Sequence, residues 1–254
     1  MKGSIKVKKY TVWGVIAAAV VVCVGFIDKK QEARACENII INIDEQSGNY
    51  FITEDDIIDI LTSKGERFIL GTPFEELNLK FLEKEVRNHS FVHKADVFRD
   101  IKGTLIVNAK QCRPIARILT SNGESKYVSQ EGEILPLSKR FTARVPIIAG
   151  NWTSTIKNQT IDSVRFGTEI FELLEFIDQD EFWKAQIAQL KIDRKGNVEL
   201  FQQVGKQIIE LGKPEELEDK FERLKIFYDE ILPRKGWNHY EKVSLAYRNQ
   251  IVCE

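Results

Sequence analysis

Three histidines, four cysteines and several carboxylate pairs are the side chains of this 254-residue chain whose types and spacing come nearest to chemistry. His89 and His93 stand four apart, the interval at which two imidazoles on one helix face share a zinc ion. The helical pattern before them ends near Asn88, however, and Phe91-Val92 opens an extended run, so the two rings do not lie on one helix. His239 sits in the loop Trp237-Asn238-His239-Tyr240 with no acid–histidine–nucleophile arrangement, and reads as a surface or capping residue. Asp55-Asp56 and Glu215-Glu216 fall at expected helix starts, where the helix dipole favours negative charge by about 0.3–1 kcal/mol. Asp178, Asp180 and Glu181 lack the glycine and terminal glutamate of a calcium loop. A P-loop, a dinucleotide-binding glycine fingerprint, an HExxH helix and a GxSxG elbow are all missing from the sequence. The expectation is a chain with no catalytic, cofactor or metal residue and no small-molecule substrate. Cys36, Cys112 and Cys253 are too widely spaced for a metal knuckle, and three is an odd number. Reduced structural thiols fit better than one disulfide with a thiol left over, and both readings stay open.

The elements that position these residues begin with charge. Lysines and arginines number 37 against 38 acids, but Lys2, Lys6, Lys8 and Lys9 stand at the start and residues 10–27 carry no charge. The remaining 227 residues have a net charge of −5, which argues against a nucleic-acid partner. Tyr10 to Ile27, which includes Cys23, would be roughly 27 Å long as a helix, about the thickness of a hydrocarbon core. Its Val, Ile and Phe side chains contribute about −3 to −5 kcal/mol to insertion. It reads as a single transmembrane helix, and the lysines before it keep the N-terminus in the cytoplasm. Ala33-Arg34-Ala35 before Cys36 is a nominal signal-peptide cleavage site, but it stands well beyond a run longer than the usual 7–15 residues.

Further along, residues 38–112 read strand, helix, helix, strand, strand. Asn38 to Glu45 is an apolar run. Thr53 caps a first helix with Asp56 three residues on, and its stripe is Ile57, Ile58, Ile60 and Leu61. Thr72, Pro73 and Glu75 spell the start of a second, burying Leu77, Phe81, Leu82 and Val86. Phe91 to Arg99 and Thr104 to Gln111 alternate as two strands. This is the order of a POTRA domain, a small α+β module. From 113 to 254 the pattern is antiparallel ribbons with flanking helices: strands at Ile115 to Leu119, Tyr127-Val128 and Ile134-Leu135, a helix from Ile161 to Ile177, strands at Ala188 to Arg194, Val198 to Val204 and Gln207 to Leu211. A helix follows from about Pro214 to Ile231, with Pro233 and Gly236 as stop signals. Trp183, Phe221, Phe227 and Tyr228 read as core. The last segment, Val243, Ser244, Leu245, Ala246, Tyr247, Arg248, Asn249, Gln250, Ile251 and Val252, reads as one half-buried strand. At a sheet edge it would offer free N–H and C=O groups to a partner strand, with Tyr247, Arg248 and Gln250 as contact residues.

VRNHSFVHKADVFRDIKGTLIVNAKQCRPIARIL, residues 86–119, resembles the most recognisable stretch of the bacterial FtsQ/DivIB cell-division family, through Phe91-Val92, Ala95-Asp96-Val97, Leu105-Ile106-Val107 and Pro114-Ile115-Ala116. YVSQEGEILPLSKRFTARVPIIAG is similar to that family's first β-domain hairpin, with Tyr127, Gly132 and Val145-Pro146, and SLAYRNQIVC to its last long strand. The resemblance implies a short cytoplasmic tail (1–9), one span of the inner membrane (10–27), a periplasmic POTRA domain and β domain, and a place at the division septum. It implies a non-enzymatic member of the divisome that contacts FtsB- and FtsL-like bitopic partners and helps regulate septal peptidoglycan synthesis. A POTRA-bearing component of protein translocation or outer-membrane assembly is the alternative. Against it, the residues after Ile148 are too few for a transmembrane barrel.

Overall fold

A computed structural model describes residues 34–44, 48, 50–120, 123–156 and 160–254. The expected span at Tyr10 to Ile27 lies outside these residues; among the described ones, no helix is long and apolar enough to cross a membrane. The chain divides into two compact units between Gln111 and Cys112.

The first unit is a three-stranded sheet of β1 (Asn38–Asp44), β2 (Val92–Arg99) and β3 (Thr104–Gln111) in the order β1-β3-β2, with β1 parallel and β2 antiparallel to β3. Two helices, α1 (Glu54–Leu61) and α2 (Leu79–Arg87), bury Ile57, Leu61, Leu82 and Val86 with Ala95, Val97, Leu105 and Val107 of the strands. At the start of α1, the Thr53 hydroxyl accepts from Asp56 N–H while Asp56 accepts from Thr53 N–H at 2.8 Å, the reciprocal box that the spacing predicts. Helix α2 corrects the sequence reading. It starts not at Thr72 but after Asn78, whose side chain accepts from Phe81 N–H. The backbone around Thr72 is already committed: Cys36 N–H donates to Thr72 C=O, Gly71 N–H to Cys36 C=O and Phe74 N–H to Arg34 C=O. A long-range ladder thus overrides a local capping signal.

The second unit is built on one nine-stranded sheet. Its strands are β4 (Pro114–Leu119), β5 (Ser125–Ser129), β6 (Ile134–Leu135), β7 (Ile147–Ala149), β8 (Ile187–Ile192), β9 (Val198–Gln202), β10 (Ile208–Gly212), β11 (Lys242–Ser244) and β12 (Val252–Cys253), in the order β12-β11-β10-β9-β8-β7-β4-β5-β6. The expectation of an antiparallel domain is corrected here. The sheet is mixed, because β4 with β7, β7 with β8 and β10 with β11 run parallel. The sequence reading passed over β7, which is only three residues long.

Parallel neighbours need crossover connections, and helices supply two of them. Between β7 and β8 lie α3 (Gly167–Gln179) and α4 (Glu181–Gln186); between β10 and β11 lie α5 (Leu217–Ile226) and α6 (Leu232–Lys235). Helix α3 is shorter than its pattern: Ile161–Ser163 forms a separate 3-10 turn. The chain then doubles back so tightly that a Cβ on Gly167 would lie 1.8 Å from Ile161 C=O. Helix α4 was not expected; the Asp180 carboxylate caps it, accepting from Phe182 and Trp183 N–H. Beyond α5, Pro233 does not stop the helix. A π turn at Phe227–Ile231 widens the coil immediately before the proline, and the helix ends at Gly236 instead. Both crossovers bury their apolar stripes in one core, where Ile170, Leu174, Trp183, Phe221, Leu224 and Phe227 meet Ile118, Ile148, Leu190, Leu200 and Ile209. Charged residues occupy other positions of the same strands, with Lys191 paired to Glu199 at 2.8 Å and Lys242 to Glu210 at 3.1 Å.

Two outcomes follow. Gly150, directly after β7, has φ +104°, and a Cβ there would sit 2.3 Å from the Ile192 carbonyl oxygen. Gly150→Ala should lower the unfolding free energy by roughly 2–3 kcal/mol in urea titrations, from steric overlap with backbone. Asp178, whose side chain is 11% exposed, pairs with Arg113 and with Lys184 at 2.8 Å. Burial opposes its ionisation, but the hydrogen bonds from Arg113 and Lys184 outweigh it and hold its carboxyl below the ordinary range. The stabilisation is therefore present above about pH 4 and is lost as pH falls through the depressed pKa. Asp178→Asn should cost roughly 1–2 kcal/mol at pH 7, and that gap should close on acidification.

Candidate partner-binding site

The ten residues proposed from sequence as a partner-binding strand do not form one strand. Val243 and Ser244 end β11, Val252 begins β12, and between them Tyr247, Arg248 and Asn249 turn the chain back, so that Val243 faces Cys253 and Ser244 faces Val252 in an antiparallel hairpin. Asn249 adopts the left-handed backbone, φ +58°, that such a reversal needs and that asparagine tolerates. Arg223 of α5 holds the turn in place. Its guanidinium donates to Tyr247 C=O at 2.9 Å and to Gln250 C=O at 2.5 Å, while Asp219 one helical turn earlier orients it.

The hairpin sorts the ten residues into groups. Val243, Ser244 and Leu245 are buried, and Leu245 N–H donates to Glu210 C=O, extending the contact with β10. Ala246, Tyr247, Arg248, Asn249 and Gln250 are exposed; Tyr247 keeps 56% of its surface and is not part of the core. Arg248 lies 2.8 Å from Glu216. Ile251 and Val252 are half-buried, with Ile251 packed against the core.

Strand β12 is one end of the sheet order. Glu254 and Lys242 exchange both backbone hydrogen bonds across the hairpin. By the alternation of antiparallel pairs, the N–H and C=O of Cys253 then point away from β11. Cys253 was not among the residues proposed from sequence. Counting by twos along the strand from a known partner would have found it, but the partner is set by the turn, which the apolar alternation hid.

The other candidate chemistry resolves into structural roles. His89 follows the end of α2 and His93 lies in β2, so their spacing does not place them on one helix. Burial pushes the His89 imidazole down in pKa, against the charge of Asp56. Asp56 and Asp180 cap helices and Asp178 is ion-paired. Among the described residues, no group of three histidine, cysteine or acidic side chains is placed to hold a metal ion. Cys36, Cys112 and Cys253 are free thiols, and burial together with Glu133 and Glu131 pushes Cys112 up to about 12.

If Arg223 is what holds the turn, Arg223→Gln should cost about 1–3 kcal/mol. It should also speed amide hydrogen exchange at residues 247–253 more than at β8 or β9. Equal protection throughout would mean that the turn is held without it.

A family model described as POTRA-like domain matches residues 34–110, and one described as FtsQ/DivIB, C-terminal related, matches residues 113–254. No curated protein matches the chain. The first unit, with its strand-helix-helix-strand-strand order, is accordingly POTRA-like, and the second match spans more than half of the sequence. The chain belongs to the FtsQ/DivIB family, and with it to the cell-division proteins.

Proposed function

We propose that the chain is a non-enzymatic scaffold of the septal cell-division complex. Residues 10–27 anchor it as a single-pass protein of the cytoplasmic membrane, N-terminus inside, with both folded units on the far side at the septum. It binds FtsB- and FtsL-like bitopic partners and acts on septal peptidoglycan synthesis through them. The observation that supports this reading is the place of β12 at the end of the sheet, with the Cys253 backbone turned outward. A partner strand laid beside it would gain main-chain hydrogen bonds, and the exposed Tyr247, Arg248 and Gln250 at the turn would lie next to the incoming chain. Family membership favours a role exercised by presenting surfaces rather than by turnover.

The test uses proline, which removes an N–H without adding charge. Cys253→Pro deletes a donor that points away from β11, so the hairpin's own ladder keeps its bonds. In cells depleted of the native protein, the parent chain and Cys253→Ala should restore division. Cys253→Pro should leave long multinucleoid filaments and reduce co-purification of the FtsB-like partner at least tenfold. Normal division and full partner recovery with Cys253→Pro would rule out strand addition at this edge.

A further inference from the structure

The three most exposed large apolar side chains among the described residues are Phe68 at 81%, Ile101 at 75% and Leu70 at 58%. Ile101 is far in sequence from Phe68 and Leu70, yet the two loops that carry them are tied to one short segment, residues 34–37. Phe68 and Leu70 flank Ile69, which is buried and anchors its loop, so the neighbours on either side are turned out. The Thr72 hydroxyl donates to Phe68 C=O at 3.0 Å and Thr72 N–H to Ile69 C=O at 3.2 Å. Thr72 C=O in turn accepts from Cys36, and Gly71 N–H donates to Cys36 C=O. On the other side, Arg34 donates to Ile101 C=O at 2.7 Å and Glu37 N–H to Gly103 C=O. Ile101 occupies the turn between β2 and β3. That turn is fixed by Asp100, whose carboxylate accepts from Lys102 and Thr104 N–H. Both loops are therefore held open by their own hydrogen bonds.

The point of attachment decides what covers them. Arg34 is seven residues beyond Ile27, the last residue of the apolar run, and seven residues span at most about 25 Å. Both loops are bonded to residues 34–37, the first described residues after that run. We infer that Phe68, Leu70 and Ile101 form an apolar apron that dips into the lipid interface beside the span, with the membrane surface as its occupant. Side chains of this kind are buried by roughly 5–10 Å of headgroup and acyl boundary, a depth within reach of so short a tether. The apron fixes the orientation of the first unit against the bilayer, which a single point of attachment does not do. This inference rests on the reading of residues 10–27 as a span, and the test separates the two.

The full chain, carrying p-benzoylphenylalanine in place of Phe68, Ile101 or, as a control, Val204, is reconstituted in vesicles of phosphatidylethanolamine and phosphatidylglycerol. Retention after alkaline carbonate washing is measured first, and lipid adducts after illumination are then counted by mass spectrometry. Retention with adducts at 68 and 101 at least tenfold above those at 204 is the expected result. Retention with equal or no adducts overturns the apron and leaves the span standing. Release by carbonate overturns the span, and the apron with it. Adducts to a second protein, in place of lipid, when the same variants are illuminated in native membranes would assign the patch to a protein partner and overturn the apron as well.

Discussion

Strand β7 is three residues long, and the second unit depends on its pairing in parallel on both sides. It joins the β4-β5-β6 ribbon to the β8-β9-β10 ribbon through Arg117 and Ile118 on one side and Gln189, Leu190 and Lys191 on the other. Ile148 at its centre is fully buried. Each ribbon can pair locally through short turns, but a parallel joint cannot be closed by a turn, so the chain must leave the sheet and return. That requirement accounts for α3 and α4. The same requirement between β10 and β11 accounts for α5 and α6.

Strand directions then settle which face is covered. β7, β8 and β10 run the same way, and both crossovers step toward β12. Right-handed connections moving in one direction from strands of one polarity must land on one face of a sheet. Both helical crossovers accordingly share a single core, and the charged ladder Lys191, Glu199, Glu210, Lys242 occupies the alternate positions. The sheet can end only at β6 and β12, both of two residues. Short terminal strands limit indiscriminate edge pairing, and a partner must add affinity through side chains around the turn.

The first unit solves a different problem. Its sheet has three strands and one helical layer, so little apolar surface is available to fix the incoming chain. Hydrogen bonding does it instead: residues 34–37 are stitched to two loops that the local sequence would leave independent. The buried Gln111 amide does similar work inside, accepting from Phe51 and Ile52 N–H where the chain enters α1. The two Gln111 bonds are buried, and their loss is expensive because no water replaces the missing partner.

Sequence by itself determined whatever depends on neighbours a few residues away. The Thr53–Asp56 box, the alternation of Ala95 and Val97 against Leu105 and Val107, the neighbouring strands at Tyr127-Val128 and Ile134-Leu135 and the apolar stripe of α5 are all local patterns, and each formed as read. Val243 and Leu245 were legible as inward-facing for the same reason. What tertiary structure decided were the pairings between distant segments, which leave no local trace. Thr72 carries a sound capping signal yet pairs with Cys36. Ile147–Ala149 is too short to show a period, yet joins two ribbons. Tyr247 continues the apolar alternation but is turned out by a reversal that Arg223, 24 residues earlier, holds in place. A backbone group bonds to whatever lies beside it in space, and a side-chain pattern reports only which face is dry, not which segment is there.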